Sequence, residues 1–225
     1  MPKKNWSEVL HIVHRIYGWK KIELDYETPF QLLCAIILSA QTTDKQVNRI
    51  TPPFFLKVRD PKDVIDLELS EIENDLRYVN FYRNKSRYIQ KTGTILAEKY
   101  DSVIPNDLTL IQTFPGIGIK TAKVLLCVLY DMPYVGVDTH IHRVMNRIGI
   151  VKTKTPEQTD KMIEEIFSQS EKKILHHPFV LFGRYHCTAR NPKCQECPLN
   201  KKCAYYKAHY PDHLIIPKVK PILHQ

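Results

Sequence analysis

Thr28-Pro29-Phe30-Gln31-Leu32-Leu33-Cys34-Ala35-Ile36-Ile37-Leu38-Ser39-Ala40 is the stretch on which the fold turns. Thr28 offers a side-chain oxygen to cap a helix, Pro29 suits the first helical position because its missing N–H would find no acceptor there, and Gln31 stands where a capping box has its returning amide. The helix that follows is apolar nearly all round, so it belongs at the centre of a helical bundle, with Cys34 packing inside it. The same start recurs at Thr155-Pro156-Glu157-Gln158. Elsewhere apolar residues recur at spacings of three and four, in Val9/Ile12/Val13/Ile16, Tyr88/Thr92/Ile95/Leu96 and Met162/Ile163/Ile166/Phe167, while period-two alternation is almost absent. The pattern predicts an all-α chain. Further helices are expected near residues 44–58, 61–66, 70–78, 84–99, 106–113, 119–130, 139–148 and 171–186, followed by an extended, proline-bearing tail over 211–225.

Across 225 residues, 33 Lys+Arg against 24 Asp+Glu give a formal charge of +9 and a pI near 9.2. That balance favours a polyanionic partner, nucleic acid or an anionic membrane surface. The longest apolar runs, Leu32 to Leu38 and Val124 to Tyr130, fall far short of the roughly 20 residues a membrane span needs, so no transmembrane helix is expected. After Met1-Pro2-Lys3-Lys4 the chain carries Glu8, His11, His14 and Arg15 where a signal peptide would be apolar. A cytoplasmic, nucleoid-associated protein is expected, in which six cysteines serve as ligands or core residues rather than disulfides.

Two of only seven glycines fall in Phe114-Pro115-Gly116-Ile117-Gly118-Ile119-Lys120, between two helices. Glycine there permits positive φ and close backbone approach, and the first amides of the next helix have no intrahelical acceptor, so the turn can hold a phosphate oxygen. This is the helix-hairpin-helix pattern, which grips one DNA strand by its backbone; a tight turn using glycine for shape alone reads the same way. Lys120 opens the second hairpin helix, where the dipole disfavours a cation and partial burial would act in the same direction. A neutral amine is the form that attacks carbon, although a lysine taken by itself is ordinarily solvated or bound to phosphate. A helix from Lys120 to Tyr130 is about 16 Å long, and Asp131 to Asp138 reaches up to about 26 Å, so the chain can bring Asp138 back beside Lys120. Asp138 also reads as the N-cap of a helix from Thr139, and the two roles are compatible.

Cys187-x6-Cys194-x2-Cys197-x5-Cys203 places four thiols within 17 residues, a strong metal signature. Four thiolates suit tetrahedral zinc or a [4Fe-4S] cluster, with zinc slightly favoured on the short Cys-x2-Cys loop alone. Arg184, Arg190, Lys193, Lys201, Lys202 and Lys207 flank the loop against only Glu196, which makes it a basic, DNA-facing surface or a merely solvated one.

Leu38-Ser39-Ala40-Gln41-Thr42-Thr43-Asp44, Pro115 to Ala122, Val137-Asp138-Thr139-His140-Ile141 and the cysteine loop together resemble the endonuclease III family of the HhH-GPD superfamily, over roughly residues 5–206. The resemblance implies two helical domains with DNA in the cleft between them: a six-helix bundle bearing the hairpin (22–132) and an iron–sulfur domain (1–21 with 133–210). It implies a DNA glycosylase and abasic-site lyase that removes oxidised pyrimidines from damaged double-stranded DNA as a monomer, with no membrane partner. Lys120 becomes the Schiff-base nucleophile, Asp138 its acidic partner, and Cys187, Cys194, Cys197 and Cys203 the ligands of a [4Fe-4S] cluster, which reverses the preference for zinc. Gln41 matches the glutamine inserted where the damaged base flips out. The wedge falls at Phe81, where the family usually has a smaller aliphatic residue and where an aromatic would otherwise be core. Pro115, Gly116, Gly118, His140, Arg184 and Lys193 complete the implied DNA contacts; His142, His176 and His177 are left without a role. A base-only mismatch thymine glycosylase and a non-catalytic hairpin module are the alternatives; a lysine at position 120 speaks against the first, and borohydride reduction with abasic-site DNA separates the second.

Overall fold

The computed structural model describes residues 6–19 and 22–210. They form twelve α-helices and no strand: α1 (Ser7–Tyr17), α2 (Pro29–Ser39), α3 (Asp44–Lys57), α4 (Leu69–Asp75), α5 (Tyr82–Lys99), α6 (Leu108–Ile111), α7 (Ile119–Tyr130), α8 (Thr139–Ile148), α9 (Pro156–Ile166), α10 (Gln169–Lys173), α11 (His176–Tyr185) and α12 (Ala204–His209). The chain is all-α, as its periodicity predicts. The extended tail expected over 211–225 lies outside the described residues.

Every residue of α2 from Phe30 to Leu38 is buried, as a helix apolar on all faces requires. Thr28 Oγ1 accepts from the Gln31 amide at 3.2 Å, so the cap forms. The returning arm differs from a capping box. Gln31 Oε1 accepts from Glu27, one residue before the cap, and its Nε2 donates to the carbonyls of Phe55 and Val58 at 2.9 Å each. A buried amide with all these groups satisfied pins the end of α3 to the start of α2. The helix expected over 171–186 is instead two, α10 and α11, parted at Ile174 and Leu175. A serine N-cap with a Glu171 capping box starts the short first piece, and after it Leu175 turns fully into the core.

Apolar side chains collect into two cores. The first runs from Leu24 to Leu126 and surrounds α2; the second joins Trp6, Val9, Leu10 and Val13 of the N-terminal segment to residues from Val135 to Leu199. Helix α8 crosses α11 where Gly183 leaves no room for a side chain, since a Cβ there would sit 2.8 Å from the His140 Cβ. Arg143 donates to the Gly183 carbonyl at 2.6 Å and to that of Cys187 at 3.0 Å, fixing the crossing.

Candidate active site and cluster loop

The hairpin divides its two tasks between its glycines. Gly116 has φ +78°, and a Cβ on it would lie 2.6 Å from the Tyr88 ring, so both conformation and packing demand glycine. Gly118 has an ordinary φ of −83°, and a Cβ added to it would meet nothing within 4 Å. Positive φ therefore belongs to Gly116 alone, and Gly118 keeps the approach to the first turn of α7 open. No side chain caps that turn, so its amides remain available to an anion. Pro115 is held by its carbonyl, which accepts from Thr92 Oγ1 at 3.3 Å.

Lys120 sits in this first turn and is exposed, so the partial burial suggested by sequence is absent. The chain returns as expected. Gly136 lies against it so closely that a Cβ would stand 3.1 Å from the Lys120 carbonyl and 2.5 Å from Val124. Asp138 follows as the N-cap of α8, its Oδ1 accepting from the Ile141 amide at 2.8 Å. The capping reading holds, and the cap fixes the carboxylate's direction. Lys120 and Asp138 line one cleft of about 1090 Å³, whose walls come from the elements of both cores.

His176 lines the same cleft, a position that only the packing of α11 reveals, because no local pattern marks the residue. It is 6% exposed, and its Nδ1 is buried without a hydrogen-bond partner. Burial pushes its imidazole down to about 4; the Asp138 carboxylate opposes that shift and Lys120 adds to it, so the ring lies within the field of both. His140 Nδ1 accepts from Arg143 Nη2 at 3.2 Å, and burial lowers the ring's pKa against the pull of Asp138.

Arg184 of α11 pairs with carboxylates distant in the chain, one before α2 and one at the start of α3. Its Nη1 bonds Glu23 and, at 2.8 Å, Asp44, while Tyr185 donates to Glu23 at 2.5 Å. Burial works against the guanidinium's charge, but Asp44 and then Glu23 outweigh it. These ion pairs make Arg184 a strap from α11 to α3 and the segment before α2. Lys193 is exposed on the cysteine loop, its amide donating to the His186 carbonyl at 3.1 Å.

Gln41 and Phe81 are both exposed and both in left-handed backbone, at φ 57° and 59°. Phe81 is 62% exposed, so it is not a core aromatic. Asn80 Nδ2 donates to the Gln41 carbonyl at 2.7 Å and joins the two loops.

All four loop cysteines line a single cavity walled by Ile148, Phe182, Leu199, Tyr205 and Tyr206. Burial raises the thiols of Cys194, Cys197 and Cys203, Cys197 to about 11, so thiolates crowded here need a cation among them. Arg147 supplies further positive charge, with Nη1 3.6 Å from Cys187 Sγ and the guanidinium over the Tyr205 ring. Four thiols lining one cavity can hold a tetrahedral zinc or an iron–sulfur cluster.

The family of HhH-GPD superfamily base excision DNA repair proteins matches residues 34–169, and the iron-sulfur binding domain of endonuclease III matches residues 187–203. Endonuclease III of Bacillus subtilis is 38% identical over 80% of this chain and 83% of its own length; that of Escherichia coli K12 is 35% identical over 91% and 97%. A solved structure of a trapped endonuclease III–DNA covalent intermediate superposes with a TM-score of 0.84 at 38% identity, covering 92% of this chain and 98% of the other. A thermostable thymine-DNA glycosylase shares the fold, with a TM-score of 0.79 at 21% identity over 92% and 97%. The chain thus belongs to the endonuclease III family of the HhH-GPD superfamily, whose cluster is [4Fe-4S].

Proposed function

We propose that this chain, a DNA glycosylase and abasic-site lyase of base excision repair, excises oxidised pyrimidines from duplex DNA through a Schiff base on Lys120 and nicks the strand by β-elimination. The observation that carries the reading is the shared cleft, with Lys120 in the first turn of α7, Gly136 laid against it and Asp138 aimed by its cap. The Lys120 lone pair attacks C1′, and the glycosidic electrons leave with the base, which takes up a proton. The ring oxygen then departs C1′ as the iminium forms. Loss of a C2′ proton expels the 3′ phosphate, and water hydrolyses the imine to restore the amine. Asp138 accepts the amine's proton and offsets positive charge on the sugar. A related endonuclease III forms a trapped covalent intermediate with DNA, which supports the same step here.

Around that chemistry, Pro115, Gly116 and Gly118 take the strand's phosphates, Lys193 and His140 add contacts, and Gln41 with Phe81 fills the gap left by the flipped nucleotide. Arg184 keeps the cleft walls in register through Glu23 and Asp44. Cys187, Cys194, Cys197 and Cys203 hold the cluster, which orders the basic loop. The functional division is 22–132 for the hairpin lobe and 1–21 with 133–210 for the cluster lobe, in a nucleoid-associated monomer. The thymine-DNA glycosylase likeness extends to fold alone and favours no second reading.

Borohydride reduction with abasic-site duplex tests the reading. The parent chain is expected to trap a covalent complex, Lys120→Ala to trap none, and Asp138→Asn to react about a hundredfold or more slowly. A Lys120→Ala chain that traps as well as the parent would remove the lyase mechanism.

A further inference from the structure

Lys85 of α5 is 5% exposed, yet no carboxylate pairs with it among the described residues. Its ammonium instead donates to the Leu38 carbonyl at 2.8 Å, the Ala40 carbonyl at 2.6 Å and Thr42 Oγ1 at 3.2 Å, using all three of its donors. These acceptors surround one residue, Gln41, at the end of α2. Gln41 is left-handed without being glycine, a conformation that persists only where its surroundings impose it. Asn80 supplies the remaining restraint through the Gln41 carbonyl. Asn80, Phe81 and Lys85 belong to a single segment leading into α5, so the segment that presents Phe81 also shapes the loop bearing Gln41. The negative end of α2 compensates part of the lysine's charge, but burial still lowers its pKa to about 8. A neutral residue would fill this space at less cost to stability if bracing the helix end were all that was needed.

We propose that Lys85, with Asn80, is a positioning residue for strand invasion, holding Gln41 in its left-handed conformation before DNA arrives so that its side chain enters the vacated gap already ordered. This rests on the reading of Gln41 as the inserted residue. Preorganisation spares the ordering of that loop at the moment of flipping, so its effect falls on the rate of base excision from duplex and not on the chemistry of Lys120.

The test is a double-mutant cycle on single-turnover excision from lesion-bearing duplex, using Lys85→Met, Gln41→Ala and their combination. Borohydride trapping on single-stranded abasic DNA, which needs no flipping, serves as the second readout. Lys85→Met is expected to slow duplex excision about tenfold while single-strand trapping stays within about twofold, and the double variant is expected to be no slower than Gln41→Ala. Asn80→Ala, which alters an exposed side chain, is expected to show the same split at about threefold and covers the case in which Lys85→Met does not fold. If the losses of Lys85→Met and Gln41→Ala multiply, or if single-strand trapping falls in step with duplex excision, the positioning role is wrong. If Gln41→Ala alone leaves duplex excision unchanged, it is the insertion reading itself that fails.

Discussion

Gly136 shows how one absent side chain sets a site. Its Cα stands where a Cβ would meet Val124 at 2.5 Å and the Lys120 carbonyl at 3.1 Å, so the stretch of chain leading to Asp138 can lie on α7 only if this residue is glycine. Gly136→Ala must move that segment, at a cost of about 1–3 kcal/mol in stability. The lyase rate is expected to fall by more than the stability loss explains, which single-turnover kinetics on abasic duplex at a temperature well below the variant's Tm will read. His176 makes a pH prediction. Burial holds its pKa near 4 against an ordinary 6.5, so the unfolded chain binds this proton more readily than the folded one. Its contribution to stability is therefore complete above about pH 6.5 and is lost as pH falls toward 4. A His176→Gln chain should lose Tm less steeply than the parent over that interval; parallel curves would show that the ring is not held neutral.

At the scale of elements, α2 and α7 do different work. Helix α2 is the hub of the first core, and Leu33→Ala, at a fully buried position, is expected to cost about 2–5 kcal/mol in denaturant unfolding. Helix α7 carries Lys120 and, one turn on at Lys123, an ionic anchor. Lys123 bonds both oxygens of Asp160 at 2.8 and 2.7 Å and Glu164 at 3.1 Å, while Lys172 holds Glu164 at 2.5 Å. The network ties α7 to α9 and α10, and so to the second core. Lys123→Met leaves two partly exposed carboxylates with one cation between them, and a loss of about 1–3 kcal/mol is expected. Equilibrium unfolding would measure it, and a neutral outcome would mean the anchor serves only orientation.

For the molecule as a whole, residues from elements of both cores line one cleft, and the cysteine loop joins the second core through Leu199. Cys197→Ser is expected to lose iron and the visible absorbance of the cluster, with a lower Tm, because loop and core are ordered together. The +9 charge makes DNA affinity salt-dependent. Lys193→Ala should reduce the slope of log K against log salt by about one while leaving lesion preference intact. A slope equal to the parent's would place Lys193 away from phosphate.

Local chemistry is readable where it is self-contained. The Thr28 and Thr155 caps, the all-buried α2, the glycine at position 116, Asp138 as a cap and the spacing of four cysteines all depend on near neighbours in the chain, and each is legible from residue types alone. The break between α10 and α11 is not, because Leu175 turns inward to satisfy a core built from distant helices. Nor is His176 beside Lys120 and Asp138, the strap from Arg184 to Glu23 and Asp44, or Lys85 beneath Gln41. Those partners are separated by tens of residues or more, and no periodicity or motif encodes which side chains two packed helices will bring together. Sequence determined the helices and the type of chemistry; packing decided which charges face each other, because burial and distance set their strength.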